Sequence, residues 1–221
     1  MRSRDADRFN HDPWAEGYDE KVLDETNPIR AGYAALLAWT VEQARIEMDS
    51  IVLDLGVGTG NTAAAIPSAR KVVGVDVSAK MLEQAPAKFS HLADVELLQA
   101  DLLEVFDREL PTFDAVVSTY SVHHLDAEEK AELFRRVNRA LRPGGRAVFG
   151  DLMFESEAAQ AEIAAVWSDD ERAQVMISVE EEYPWRIDRA VRDLEAAGLS
   201  VVETKRFSVL SWGICCERPR H

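Results

Sequence analysis

Short apolar runs of strand length alternate along this chain with segments whose apolar residues recur at helical spacing. The runs are Ser50–Leu55, Lys71–Val75, Val95–Gln99, Phe113–Ser118 and Arg146–Gly150. Strands that alternate with helices favour βαβ units and a mainly parallel sheet. We therefore predict an α/β fold: a doubly wound, Rossmann-like sheet of seven mostly parallel strands, with helices on both faces.

Two of the predicted helices have recognisable ends. Ser78 is the expected N-cap of a helix from Ala79 towards Phe89, and Asp126 is the expected N-cap of a helix over Ala127–Leu141. The sequence Pro143-Gly144-Gly145 then predicts a helix stop and a turn. The second helix carries one apolar stripe for the core, made of Ala131, Leu133, Phe134, Val137 and Leu141.

Three segments complete the single domain predicted over residues 1–221. Residues 12–47 are expected to form a mostly helical N-terminal cover. Residues 155–185 are an acidic helical insert, and its Trp167, Met176, Tyr183 and Trp185 form either a lid over a substrate or part of the core. After a helix over Ile187–Ala197, the strands Ser200–Lys205 and Phe207–Cys216 are close enough in sequence to pair as an antiparallel hairpin.

Charge limits the classes of partner that this protein can bind, and cysteine content indicates its compartment. The 221 residues include 25 Lys and Arg but 40 Asp and Glu, a formal net charge of −15. This balance disfavours a protein that neutralises nucleic-acid phosphates or docks on an anionic membrane. No run approaches the ~18 apolar residues of a membrane span, and the charged N-terminus is unlike a secretion signal. The adjacent Cys215 and Cys216 indicate neither a structural disulfide nor a zinc site, so we expect a cytoplasmic protein.

The first strand leads into a loop with glycine at every second position: Gly56, Gly58 and Gly60. Only the stretch from Gly58 to Ala63 matches the looser dinucleotide fingerprint, so the glycines alone are ambiguous. The loop contains no Lys or Arg, and Asp54 precedes it. A carboxylate in this position favours a ligand with cationic groups over a pyrophosphate.

Two more acids follow the next two strands. Asp76 ends the second strand and suits the two hydroxyls of a ribose. Asp101 lies just past the third strand, where it could accept a hydrogen bond from an adenine amino group. The carboxyl ends of parallel strands meet at one edge of a sheet, where doubly wound folds bind their ligands. We therefore expect Asp54, Asp76 and Asp101 to lie near one bound molecule.

Five motifs occur in a fixed order: Leu53–Gly60, Val73–Ser78, Ala100–Leu102, Phe113–Ser118 and Leu141–Gly145. With them the chain resembles the class I S-adenosylmethionine-dependent methyltransferases, and in particular the small bacterial enzymes related to those of quinone biosynthesis. Trp14–Asp19 also resembles the Tyr-Asp segment near the N-terminus of that group. The resemblance therefore extends over nearly the whole chain.

This resemblance implies S-adenosylmethionine as cofactor and a methyltransferase reaction. It also implies a role for each matching residue. The cofactor contacts are Tyr18 near the sulfonium, Asp54 and the Ser118 carbonyl near the amino group, Gly56, Gly58 and Gly60 along the methionine and ribose, Asp76 on the ribose hydroxyls, Val77 on the adenine face, and Asp101 and Leu102 on the adenine edge.

The loop after the fourth strand should contain the reacting face. Methyl transfer is an in-line displacement in which alignment can remove ~7–11 kcal/mol of barrier, and a general base is needed only for a protonated nucleophile. We take His123, Tyr120 and Asp151 as candidate catalytic residues. Adjacent side chains point in different directions, so at most one of His123 and His124 should face the pocket. Without a third ligand nearby in sequence, no metal is expected.

The acceptor is expected to be a small molecule. The loop lacks the Asn/Asp-Pro-Pro-aromatic run of the methyltransferases that act on amino groups of DNA and proteins, and the acidic charge also disfavours a nucleic acid. Two alternatives stay open: an NAD(P)-dependent oxidoreductase, based on Gly58–Ala63, and a protein that binds S-adenosylmethionine without transferring its methyl group. A homodimer is compatible with the sequence.

Overall fold

Five parallel strands form the first part of the sheet. They are β1 (Ile51–Leu55), β2 (Lys71–Asp76), β3 (Val95–Gln99), β4 (Phe113–Thr119) and β5 (Leu141–Phe154). The computed structural model, which describes residues 1–166 and 182–220, orders them β3-β2-β1-β4-β5. The direction of winding reverses between β1 and β4, and such a switch point leaves a crevice at the carboxyl ends of the strands. The parallel α/β sheet predicted from the sequence is confirmed.

The C-terminal strands complete the sheet. β7 (Ser200–Arg206) and β8 (Ser211–Glu217) form the predicted antiparallel hairpin, and β8 also pairs antiparallel with β5. The main sheet is therefore β3-β2-β1-β4-β5-β8-β7, which confirms the seven predicted strands. An additional strand of two residues, β6 (Trp185–Arg186), pairs with the end of β5.

The helices are α1 (Tyr18–Val22), α2 (Tyr33–Ala44), α3 (Asn61–Ala64), α4 (Ala79–Gln84), α5 (Ala127–Ala140), α6 (Glu157–Val166) and α7 (Ile187–Ala196). Both predicted caps are present. The Ser78 hydroxyl accepts from the Met81 N–H at 3.2 Å, and Asp126 forms a capping box with Glu129. α4 ends before the predicted Phe89 and continues as a 3₁₀ turn, because Pro86 cannot donate a helical hydrogen bond.

The fifth strand is longer than predicted. Pro143, Gly144 and Gly145, predicted to form a turn, lie inside β5. Gly144 has a φ of 80°, and the pairing of β4 with β5 shifts register between Phe113 and Ala115. The Pro-Gly-Gly sequence therefore produces an irregularity within β5 and does not form a turn between the preceding helix and this strand.

The N-terminal cover contains less helix than predicted. Its regular helices are α1 and α2, with an irregular connection over residues 23–32. α2 lies against a glycine pair in neighbouring strands, Gly150 of β5 and Gly213 of β8. A Cβ on Gly150 would lie 2.3 Å from Leu36, and one on Gly213 would lie 2.2 Å from Trp39. The two glycines therefore make room for α2 on this face of the sheet.

The four predicted lid residues of the insert over residues 155–185 do not share one environment. Trp167 and Met176 lie outside the described residues. Trp185 is 4% exposed, and its ring centroid lies 5.3 Å from that of Phe134 and 5.7 Å from that of Phe149. Trp185 therefore belongs to the core. The Tyr183 hydroxyl donates to Asp5 Oδ2 at 2.9 Å. Among the described residues, no helix is both long and apolar enough to cross a bilayer.

We expect Trp185→Ala to lower the free energy of unfolding by about 3–5 kcal/mol, because it empties an aromatic site in the core. Urea unfolding followed by circular dichroism measures the change. Trp14, 60% exposed, provides the matched control, since Trp14→Ala should change stability little. A Trp185→Ala protein of wild-type stability would assign this side chain to a lid.

Candidate active site

A first cavity opens at the carboxyl ends of the parallel strands, near the switch point between β1 and β4. Many of the predicted site residues line it: Tyr18, Gly56, Gly58, Asp76, Val77, Asp101, Leu102 and Tyr120. Asp76 and Asp101 are the acids of its lining, and among the described residues no Lys or Arg contributes to it. The electrostatics of this cavity favour a ligand with cationic groups.

Asp76 connects the glycine loop to the start of α4. Its Oδ2 accepts from the backbone N–H of Gly58 at 2.9 Å, and its Oδ1 accepts from the N–H of Ser78 at 2.8 Å. Burial raises the pKa of Asp76. The loop also packs against Ser121, whose Oγ lies 1.9 Å from where a Cβ on Gly56 would be. The loop backbone is thus fixed before any ligand arrives.

Three predicted cofactor residues support this loop without lining the first cavity. Asp54 is fully buried on β1, and neither of its oxygens has a hydrogen bond of normal geometry to a described residue. Burial, reinforced by the charge of Asp76, raises the pKa of Asp54 to about 7. A Cβ on Gly60 would lie 2.5 Å from the Phe89 ring. The Ser118 hydroxyl donates to the Leu55 carbonyl at 2.7 Å.

Asp19 is a site residue that the sequence did not single out. Its Oδ1 accepts from Thr59 Oγ1 at 2.6 Å and from Asn61 Nδ2 at 3.2 Å, and its Oδ2 lies 2.7 Å from Lys88 Nζ. Lys88 therefore reaches a glycine loop that itself contains no cation, but Asp19 neutralises it. Only the Tyr-Asp motif signalled this residue.

Residues 1–11, which we call the N-terminal strap, cross the first cavity. Ser3, Ala6, Phe9 and His11 line it. The Ser3 N–H donates to Asp101 Oδ1 at 2.9 Å, and its hydroxyl donates to Oδ2. The carboxylate predicted to bind adenine thus holds the strap. No periodic pattern or motif in the sequence marked these residues.

A second cavity adjoins the first. The two share Phe9, His11, Tyr18 and His124 in their walls, with the rings of Phe9 and His124 stacked at 4.1 Å between centroids. His123 lines the second cavity as well. Both histidines therefore line the second cavity, contrary to the prediction that at most one of them faces the pocket. Their ring centroids lie 4.1 Å apart.

His123 and Asp151, both predicted as catalytic, are in direct contact. The 1%-exposed Asp151 accepts from the His123 backbone N–H at 3.0 Å through Oδ2, and its Oδ1 is bonded to Nδ1 of the ring. A carboxylate at Nδ1 assigns the proton to that nitrogen, so Nε2 is the acceptor. Nε2 lies 3.6 Å from Glu182 Oε2. The pair has the geometry of an oriented general base.

Tyr120 contributes its ring and backbone to the site. Its hydroxyl is bonded to Ser211 Oγ at 2.6 Å and to the Ile29 carbonyl at 3.2 Å. Burial raises its pKa to about 12. The predicted catalytic hydroxyl is therefore occupied inside the protein. Tyr120 also has a φ of 50°, a strained value for a residue other than glycine.

His123, His124 and Glu182 bring three metal-binding types of side chain together. One donor atom from each lies within 4.8 Å of the others. No third ligand was predicted from sequence spacing, because Glu182 is distant from the two histidines along the chain. Ligands ~2.0–2.2 Å from one zinc ion would require this group to contract, and Nδ1 of His123 is already bonded to Asp151.

The sequence and the fold of this chain are similar to those of known methyltransferases. A family model described as "Methyltransferase domain" matches residues 52–145. An uncharacterized methyltransferase of Anoxybacillus flavithermus is 38% identical over 156 residues, covering 68% of this chain and 70% of the relative. One of Bacillus pumilus is 32% identical over 207 residues, covering 87% of each. The magnesium protoporphyrin IX methyltransferase of Synechocystis PCC 6803, solved with bound SAH, superposes with a TM-score of 0.69 at 18% identity, covering 96% of this chain and 97% of that one.

We expect Asp54→Asn to stabilise the ligand-free protein at pH 8 and less so at pH 5. The folded pKa of about 7 exceeds the ordinary 3.8, so the folded state binds a proton that the unfolded state has released. Wild-type stability should therefore fall as pH rises from about 4 to about 7, by up to a few kcal/mol at ~1.4 kcal/mol per pKa unit.

Urea unfolding at a series of pH values measures this effect. Asp49 is exposed, so Asp49→Asn should keep the wild-type pH dependence. If Asp54→Asn keeps it too, the Asp54 carboxyl does not titrate as burial predicts.

Proposed function

Because the chain belongs to the class I S-adenosylmethionine-dependent methyltransferases, we propose that it methylates a small molecule bound in the second cavity. The observation that carries the proposal is the shared wall of Tyr18 and His124 between the two cavities. A donor in the first cavity and an acceptor in the second would meet there.

The first cavity suits S-adenosylmethionine better than a nicotinamide dinucleotide. Its acids complement a cofactor that carries an ammonium and a sulfonium. A pyrophosphate would need a free cation, whereas the lysine near the loop, Lys88, is paired with Asp19. The SAH bound to the Synechocystis relative supports the same ligand class. When bound, S-adenosylmethionine supplies an electrophilic methyl group on its sulfonium.

We assign the general base to His123. Its Nε2 would take the proton from the acceptor's O–H, N–H or S–H group as the acceptor's lone pair forms the bond to the methyl carbon, while the bond from that carbon to the sulfonium breaks and leaves S-adenosylhomocysteine. Asp151 holds the ring in the required tautomer and stabilises the imidazolium that results. Tyr18 and His124, in the wall that the two cavities share, align the acceptor with the methyl group. The strap excludes water from the reacting groups. Release of the proton to solvent completes the cycle.

We expect the wild-type protein to bind S-adenosylmethionine and S-adenosylhomocysteine in calorimetric titrations, and Asp76→Ala to raise both Kd values at least tenfold. Charged hydrogen bonds contribute ~1.5–3 kcal/mol, and the variant also releases the Gly58 N–H. Asp76→Asn keeps an acceptor for that N–H and separates the two effects, and Asp49→Ala is the surface control. Absence of wild-type binding at millimolar ligand overturns the proposal.

We expect His123→Gln and Asp151→Asn to lower kcat by ~10²–10⁴ while the Kd for S-adenosylmethionine stays within twofold of wild type. S-adenosylhomocysteine release from a panel of small alcohols, phenols, thiols and amines is the readout. His91 lies outside both cavities and binds the Ile66 carbonyl, so His91→Gln is the matched control. Wild-type turnover in His123→Gln would show that alignment alone drives the reaction.

A further inference from the structure

We propose that the acceptor carries an anionic group, a carboxylate or a phosphate, that Arg30 binds in the second cavity. The proposal rests on the methyl transfer proposed above and names the class of molecule that this cavity selects. Arg30 lies on the irregular connection between α1 and α2, and its backbone N–H donates to the Asn27 carbonyl at 2.9 Å.

The charge of the second cavity is opposite to that of the molecule. Among the described residues, its lining includes three cations, Arg8, Lys21 and Arg30, and one acid, Glu182, in a chain with a formal net charge of −15. The first cavity, by contrast, has two acids and, among described residues, no Lys or Arg. This separation favours a cationic ligand on one side of the shared wall and an anionic ligand on the other.

The cations of the second cavity have aromatic rings as neighbours. Arg30 Cζ lies 4.4 Å from the Tyr120 ring centroid, and Lys21 Nζ lies 5.4 Å from that of Trp14. Neither they nor Arg8 form an ion pair with any residue in the described part of the chain. A ring positions a cation but leaves its full charge available to a ligand.

Arg30 also has hydrogen-bonding capacity that the protein leaves unused. Its Nη1 is buried and has no hydrogen-bond partner within residues 1–166 and 182–220. A buried donor without a partner is unfavourable, and a ligand oxygen would satisfy it. The planar guanidinium matches the two oxygens of a carboxylate or phosphate, which a lysine cannot do in the same way.

The ring of Tyr120, which lines the first cavity, lies beside both the anchor Arg30 and the base His123 of the second cavity. The Arg30 guanidinium lies 4.4 Å from its ring centroid, and the His123 ring centroid lies 6.5 Å away. A small molecule with its anionic group at Arg30 can therefore present a nucleophile to His123. The strained backbone of Tyr120 and its two hydroxyl contacts hold this ring between them.

The test measures binding of benzoate, phenyl phosphate and the neutral control benzamide by calorimetry, with and without saturating S-adenosylhomocysteine. We expect at least one anion to bind at least tenfold more tightly than benzamide. Arg30→Met should remove that preference, and Arg30→Lys should restore part of it. Arg70 is exposed, so Arg70→Met should bind the probes as wild type does.

The two anionic probes distinguish a carboxylate site from a phosphate site. The inference is overturned if neither anion binds more tightly than benzamide, or if Arg30→Met keeps the preference. A protein that binds the anions through Arg30 but does not bind S-adenosylhomocysteine retains the anion site while the proposed function fails. A protein that binds S-adenosylhomocysteine but shows no preference for anions retains the function and loses this inference.

Discussion

The burial of acidic side chains at one edge of a parallel sheet is the constraint to which the rest of this structure adapts. Parallel strands bring their carboxyl ends together, so Asp54, Asp76 and Asp101 are close in space although they are separated in sequence. A buried carboxylate must be satisfied by hydrogen bonds or give up its charge. Asp76 accepts hydrogen bonds from two backbone N–H groups, and Asp101 accepts one from the Ser3 N–H of the strap. Burial raises the pKa of Asp54 to about 7.

The same constraint explains why the protein has two neighbouring cavities of unlike charge. An acidic crevice at the switch point excludes anionic ligands, so an anionic acceptor needs its own cations on the far side of the shared wall. Residues outside the sheet supply them: Arg8 from the strap, Lys21 from α1 and Arg30 from the connection to α2. The strap and the N-terminal cover therefore do more than close the site, since together they set the charge of the second cavity.

The sequence predicted well what local patterns determine. Strand runs and caps such as Ser78 depend on neighbours a few residues away, and the motif acids and glycines mark one sheet edge. It predicted poorly what depends on distant contacts. No spacing relates Glu182 to His123, Lys88 to the glycine loop, or Ser3 to Asp101. Tyr120 shows both cases, because its position in the loop after the fourth strand indicated the site, while the direction of its hydroxyl depends on packing with Ser211 of β8.

The contact between Ser3 and Asp101 can exchange with a ligand at little cost in free energy. Asp101 Oδ1 also accepts from the N–H groups of Leu103 at 3.0 Å and Glu104 at 3.2 Å. Release of Ser3 therefore does not leave the carboxylate without partners, and an adenine amino group could replace the Ser3 hydroxyl, which donates to Oδ2. A hydrogen bond traded for one of the same kind changes the net free energy little. The cofactor proposed to fill the first cavity can thus replace this one contact while other contacts of the strap, such as Arg4 with Glu129 and Asp5 with Tyr183, stay in place.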